Sequence, residues 1–582
     1  MLLVEAALLL VAVLVALAFP TVGSRWFEIL ESKFANVARK RGLAVVIVGV
    51  TALTLRAALL PILPIPEPIV HDEFGYLLAA DTFAHGHITN PTHPMWVHFE
   101  TFGVIQKPTY QCFAQPAQGL ILALGQVIAG HPFWGVWLSV GLMCAAICWM
   151  LQAWLPPEWA LLGGLLAIIR YGTFTYWADS YWGGAMGAIG GALVLGALPR
   201  IKHAQRLRDA LAMGLGLAIL ANSRPYEGFV LSLPVAVALL AWMVGRPRPS
   251  LRVSLIRVVL PLSLSLAVLA LAMGYYCWRV TGDPFGMPYQ AEQQQYAVAP
   301  YMLWQPLRPQ PVYHHEVVKR LYAGQAVLGY EFFRSPAGVL AKLLWTWCFY
   351  LGPALMLPLL MLAGILPYGF SWRQINRQAG FLLLTLGVAL LGLGMETFYA
   401  PHYMSPSTSL ILALVLLAMR HLRQWRWRDK PSGLFLTRAI LAVCVLLFIV
   451  RATAGPLFGD ESYAHAWYQR GPVTFGRAAM LKRLEQLPGN QLVLVRYKSG
   501  HILFAEWVYN DADINAARVV WAREMSPPEN AALVAYFGDR RVWLLEADQN
   551  PPALMPYSIA GGTAESRVGS FRLDANASPH KQ

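Results

Sequence analysis

Apolar runs near the thickness of a bilayer's hydrocarbon core recur along this chain, and they decide its class. A helix of about 20 apolar residues crosses such a core. Runs of this kind lie near 2–19, 43–63, 132–155, 159–176, 183–199, 209–223, 228–245, 255–277, 337–366, 379–396, 403–420 and 434–452. Only 13% of the 582 residues are charged, against about 25% in a soluble domain. The pattern predicts an all-α polytopic membrane protein with about twelve transmembrane helices. The 337–366 run exceeds one span, so it tilts or breaks at Pro353 or Pro358.

A net charge of +14 raises nucleic acid as a partner, but the placement of the charge argues against it. The basic residues cluster between apolar runs, which is the pattern that orients a membrane protein. One side receives Arg25 to Arg41; Arg200, Lys202, Arg206 and Arg208; Arg246, Arg248, Arg252 and Arg257; Arg373 and Arg377; and Arg420 to Lys430. The other receives 64–131, whose only Lys or Arg is Lys107, and 177–182 and 397–402, which have none. The basic side is therefore cytoplasmic, in an inner (plasma) membrane. Met1 to Phe19 lacks a basic leader and reads as a first span with its N-terminus outside, rather than as a cleaved signal. Arg170, inside an apolar run, has no place in this pattern. The cysteines are Cys112, Cys144, Cys148, Cys277, Cys348 and Cys444. They sit mostly in or beside apolar runs, without metal spacing, so no disulfide framework is expected.

Three regions follow. Residues 1–42 form an additional N-terminal span and a basic cytoplasmic loop. Residues 43–454 form the main membrane domain, interrupted outside by 64–131 and by 279–336. The first of these loops ends in an apolar stretch, Ala117 to Ala129, too short to span and suited to the interface. The second is rich in Pro, Gln and Tyr, with Glu292, His314, His315, Glu316 and Glu331. Residues 455–582 are more polar and read as a small extracytoplasmic α/β domain. Its strands fall at Gln491–Arg496, Arg518–Trp521 and Val542–Leu545, with a helix at Glu529–Phe537 and an unstructured end from about Asp574.

Asp72 and Glu73 appear where the 43–63 span surfaces, closed by Pro61, Pro64, Pro66 and Pro68. Acids at a membrane boundary are costly unless solvated, paired or used. They suit a general base with its supporting acid, acting on a substrate hydroxyl; an acidic helix start is the plain alternative. Arg224 is the only cation of its short external turn and matches an anionic phosphate, or a salt bridge with Glu227. His402 either donates to phosphate or caps a helix, and Lys107 is a third anion partner. Asp179 and Trp182 lie in an aromatic cluster that could stack a sugar ring, or belong to the interfacial aromatic belt. His71, Asp72, Glu73, His85 and His87 allow a divalent metal, but no spacing supports one, and no cofactor is expected. Gly183, Gly184, Gly187, Gly190 and Gly191 fit close helix packing.

The motif Asp72-Glu73-x-x-Tyr76 closing a span before a large external loop resembles the GT-C membrane glycosyltransferases. These include protein mannosyltransferases and lipid A aminoarabinose transferases. Gln115-Pro116 through Ala129-Gly130, and His402-Tyr403-x-x-Pro406, are similar to further family features. The resemblance covers the layout of roughly residues 43–420. It implies transfer of a sugar from a polyprenyl-phosphate donor to a hydroxyl of an extracytoplasmic glycan, lipid or protein, with inversion. Asp72 would be the base, Glu73 its support, Arg224 a phosphate contact, and Tyr76 and Tyr403 would line the substrate. Where relatives often carry Lys and Arg, this chain has Gln115 and His402, so those phosphate contacts do not carry over directly. The rival classes are a transporter or flippase of polar lipids and an envelope-assembly scaffold. A transporter places ionisable groups within its spans, whereas Glu5 and Glu396 lie near span ends.

Overall fold

The computed structural model describes residues 2–245, 249–365, 377–458, 476–557 and 571–572. Arg246, Arg248 and Arg373 of the basic loops, and the end from Asp574, lie outside the described residues. The chain begins with α1 (Leu2–Ala18), α2 (Ser24–Arg39) and α3 (Arg41–Ala58). The 64–131 region holds α4 (His71–Ala84), the short strands β1 (Asn90–Pro91), β2 (Val104–Ile105) and β3 (Thr109–Cys112), and α5 (Pro116–Ala129). Then come α6 (Phe133–Leu151), α7 (Pro157–Arg170), α8 (Ala185–Ala204), α9 (Leu207–Ala221), α10 (Pro225–Val244) and α11 (Leu251–Thr281). The 279–336 region contains α12 (Pro288–Tyr296) and a further helix at Ala326–Arg334. It is followed by α13 (Pro336–Tyr350), α14 (Gly352–Ile365), α15 (Arg377–Gly394), a 3-10 turn at Pro401–Ser407 running into α16 (Thr408–Leu422), and α17 (Ser432–Phe458).

Among the described residues eight helices are long and apolar enough to cross a membrane, or nine if α13 and α14 form one span bent by 104°. The expected twelve shrink by this measure because the runs at 2–19, 159–176 and 209–223 form helices of 17, 14 and 15 residues. The long 337–366 run breaks at Leu351, just before Gly352-Pro353, while Pro358 stays inside a helix. Proline disfavours the helical region for the residue before it, which places the break there. Gly352 has φ +57°, open to glycine at little cost.

Arg170 belongs to this break. Its guanidinium donates to the carbonyls of Phe349 (3.1 Å) and Cys348 (2.8 Å), the orphaned end of α13. Glu5 of α1 accepts the backbone N–H of Ala354 at 2.8 Å, in the first turn of α14. The N-terminal helix and α7 thus supply a cap to each side of the bend. At the opposite end of the bundle, Glu31 of α2 pairs with Arg423 (2.9 Å) and Arg438 (3.0 Å). The segment Arg25–Arg41, expected as a loop, is therefore largely the amphipathic helix α2, docked on the ends of α16 and α17.

The 279–336 region, expected as a loop, is also largely helical. Its helices are held by tertiary contacts rather than by a long periodic pattern. Tyr296, Val317, Val318 and Tyr322 bury themselves against Phe102 of the 64–131 region and Leu503 of the C-terminal region. That last region contains α18 (Arg477–Gln486), β4 (Gln491–Arg496), β5 (Val519–Arg523), α19 (Pro527–Tyr536), β6 (Arg541–Glu546), β7 (Ala553–Pro556) and β8 (Phe571–Arg572). The sheet order is β5-β4-β6-β7-β8. β4 runs parallel to β5 and β6, and the last two strands add antiparallel. The apolar Leu492–Val495 stretch is fully covered, as a central parallel strand requires. The 64–131 and 279–336 regions pack with this domain, and the shared core includes Phe74 and Leu78 of α4.

Candidate functional site

Helix α4 begins directly after the proline-rich exit from α3, so its first turn presents Asp72 and Glu73 together. Their environments differ sharply. Glu73 is 1% exposed, and its carboxylate accepts three backbone N–H groups: Ile69 (2.9 Å), Val70 (2.9 Å) and Tyr181 (3.0 Å). It caps its own helix and ties it to the 171–184 segment. Burial nonetheless raises its pKa to about 7, opposed by those three donors. Asp72 keeps 19% of its side chain exposed and lies 3.3 Å from His71 Nε2. The neighbours that feel its charge include Tyr76, Arg224, Glu292 and Tyr403.

Arg224 stands at the start of α10 with 18% of its side chain exposed. It lies 3.6 Å from Glu227 and 4.6 Å from the ring centre of Tyr403. A cation over a tyrosine face is held electrostatically while its edge donors stay available. The turn bearing Arg224 is fixed to α5, since Ala117 donates to the carbonyl of Asn222 at 2.9 Å. Helix α8 sets the depth of the site. A side chain at Gly187 would collide with Ser405, and one at Gly191 with the carbonyl of Pro406, so only glycine lets α8 lie against the 401–407 turn. The glycine run thus does the packing expected of it, and it brings Tyr403 to Arg224.

His402 is 1% exposed; its Nδ1 lies 2.9 Å from the Tyr176 hydroxyl, and its ring meets Trp182 edge-on at 4.7 Å. It adjoins Tyr403 but lies within the packed aromatic layer. Asp179 is engaged by Arg56 at 3.2 Å. Arg56 itself is 1% exposed and donates to the carbonyls of Ala178 and Leu63. This pair knits α3 to the 171–184 segment, and the aromatics around Asp179 pack in the interior. Lys107 holds its ammonium 4.0 Å above the Trp96 ring, and its carbonyl accepts from Gln295 of α12 at 2.6 Å. The structure therefore gathers Asp72, Tyr76, Arg224 and Tyr403, places His402 and Trp182 beside them, and engages Lys107 with Trp96.

Glu292 of α12 joins the cluster, a role that composition alone did not mark. It is 5% exposed, accepts from Tyr322 (2.5 Å) and Tyr301 (3.4 Å), and burial raises its pKa to about 7, with Asp72 adding to the rise. Burial likewise holds the Tyr76 phenol above its usual value, against the pull of Arg224. Several buried polar atoms near these residues have no hydrogen-bond partner: both amide atoms of Gln115, Trp182 Nε1 and Ser405 Oγ. Unpaired buried polar atoms are costly and call for a ligand or water. Among the described residues no three His, Cys, Asp or Glu side chains form a group able to hold a metal.

No family model and no curated protein matches the chain. Among solved structures, the Archaeoglobus fulgidus oligosaccharyltransferase tethered to an acceptor peptide aligns with a TM-score of 0.48 at 11% identity, over 87% of this chain and 69% of that one. ArnT from Cupriavidus metallidurans bound to undecaprenyl phosphate aligns with a TM-score of 0.43 at 12% identity, over 85% and 92%. The A. fulgidus enzyme in complex with an inhibitory peptide and a dolichol-phosphate gives 0.39 at 12%, over 87% and 69%. At these values the likeness assigns no residue a role.

Proposed function

We propose that this protein is an integral-membrane glycosyltransferase of GT-C type, moving a sugar from a polyprenyl-phosphate donor to an acceptor hydroxyl. The observation that carries the reading is the cluster of Asp72 and Arg224: a partly exposed carboxylate and a largely buried guanidinium that feel each other's charge, with Tyr76 and Tyr403, near polar atoms without partners. That arrangement suits a displacement at a sugar's anomeric carbon. The acceptor oxygen forms a bond to C1, and the bond from C1 to the phosphate oxygen breaks with its electron pair leaving on phosphate. Asp72 takes the acceptor's proton, and Arg224 stabilises the charge gathering on the phosphate. One attack with one departure inverts the anomeric centre.

Glu73 acts as a positioning residue in this scheme, because its oxygens are committed to three backbone donors. Glu292 sets the local field with its pKa raised to about 7. The external cap, formed by both loops and the C-terminal domain, would bound the acceptor's approach, and the donor's lipid would remain in the bilayer. The test is transfer from radiolabelled polyprenyl-phosphate sugars by purified protein. Asp72→Asn should reduce turnover by about 10²-fold or more, the contribution typical of a general base, with donor binding and thermal stability retained. Full turnover in that variant would remove Asp72 from the chemistry.

A further inference from the structure

Helix α8 begins at the candidate site and ends far from it. From Met186 to Arg200 it rises about 21 Å, and along this length it borders a groove of about 1500 Å³. The walls are apolar side chains of α6, α8 and α9, among them Leu142, Ile189, Leu193 and Leu215. The far end changes character. Arg41, Arg200, His203, Arg206 and Arg208 line it, with Asp209 as the acid among its lining residues.

These cations are organised. Arg200 lies flat over Trp149, its guanidinium carbon 3.8 Å from the ring centre, and donates to the carbonyls of Gly196 and Trp149 at 2.7 Å each. That fixes its plane and leaves further donors of its five unspent. Arg41 and Arg208 act on Arg200 as like charges, and Asp209 acts on it as the opposing one. Asp209 also sits 4.0 Å from Arg208, beyond hydrogen-bond length. An apolar slot longer than one leaflet's roughly 15 Å, ending in clustered arginines on the basic side of the membrane, has the complementarity of one molecule class. Basic pockets between spans on the cytoplasmic side bind anionic lipid headgroups.

We propose that this groove is a binding site for an anionic phospholipid of the cytoplasmic leaflet. Its phosphate sits among Arg41, Arg200 and Arg208, and its acyl chains lie along α6, α8 and α9. The phosphate position lies at the opposite end of α8 from Arg224 and stands or falls independently of the reaction assigned to Asp72.

Native mass spectrometry of the full-length protein in detergent, titrated with phosphatidylglycerol or with phosphatidylcholine of the same acyl chains, tests it. Phosphatidylglycerol should bind at least about tenfold more tightly. Arg206→Gln/Arg208→Gln, both exposed positions, should weaken phosphatidylglycerol about tenfold or more and leave phosphatidylcholine unchanged. Arg200→Lys, which keeps the charge but loses the flat fork, should cost a smaller factor. Equal binding of the two lipids would reduce the groove to annular filling and overturn the proposal. So would unchanged phosphatidylglycerol affinity after adding Arg41→Gln to the double variant. Polyprenyl phosphate binding more tightly than phosphatidylglycerol, with the same arginine dependence, would overturn the assigned occupant.

Discussion

Phe74 and Tyr509 stack with ring centres 4.1 Å apart and planes 3° from parallel. Phe74 lies in the same helical turn as Asp72, and Tyr509 belongs to the C-terminal domain. Arg477, from that domain, lies 4.8 Å from the Phe74 ring centre. Further along α4, Asp81 accepts the backbone N–H of Ala512 at 2.9 Å. The domain therefore grips the helix that presents the acid pair at two points, one turn and three turns into it. Tyr509→Ala should cost about 3–5 kcal/mol of local stability, as large aromatic deletions do. Limited proteolysis should then cut the C-terminal domain faster, and sugar transfer should fall severalfold. Tyr509→Phe, which keeps the stacked ring, should leave both nearly unchanged.

A pH dependence follows from Glu73 and Glu292, both with pKa raised to about 7 by burial. Each binds a proton in the folded state at pH values where the unfolded chain has lost it. Their contribution to stability is therefore fully present below the unfolded value near 4.5, and is lost as pH rises through about 7. Thermal unfolding followed by thiol labelling in detergent should show the midpoint falling between about pH 5 and 8, by the equivalent of a few kcal/mol at most. Glu292→Gln should flatten part of that slope. A slope unchanged in Glu73→Gln/Glu292→Gln would assign it to other groups.

Asp179 and Arg56 form a buried pair, and breaking such a pair typically costs about 3–5 kcal/mol because one charge is stranded. Asp179→Asn and Arg56→Met should thus lower the yield of folded protein by similar amounts. In the protein that does fold, the donor KM should change little. A selective rise in KM at full stability would instead place Asp179 against the sugar.

The parts legible in the sequence were those governed by local pattern. Apolar runs located the membrane helices and the Leu492–Val495 stretch located a central strand, while a helix start at the acid pair stood only as the alternative to its functional reading. The rest depended on partners distant in sequence. Arg56 sits in an apolar run and finds Asp179 at 123 positions' separation; Arg170 reaches carbonyls 178 and 179 positions away. No window of sequence carries such pairings, so Asp179 reads from sequence as a substrate-binding candidate among aromatics and Arg170 as an anomaly. Lone arginines in apolar runs were the available signal, since a charge inside a membrane protein requires a partner. Glu292 was hidden because the 279–336 region has no long periodicity, and its short helices are set by packing against Phe102 and Leu503.

Arg224 makes the sharpest case for the proposed chemistry. It pairs with Glu227 at 3.6 Å, and its guanidinium carbon lies 4.6 Å from the Tyr403 ring centre. A departing phosphate would draw on it more strongly than a bound donor does, because negative charge grows on the bridging oxygen as the bond to C1 breaks. Arg224→Gln should therefore lower kcat by about 10²–10³-fold, the loss seen when an oxyanion donor is removed, with a smaller change in KM. Arg224→Lys should recover part of this through its charge and fall short through its geometry. Tyr403→Phe keeps the ring beneath the cation and should stay close to wild type in both constants. If Arg224→Gln instead raised KM alone, the guanidinium would bind the donor without contributing to the step.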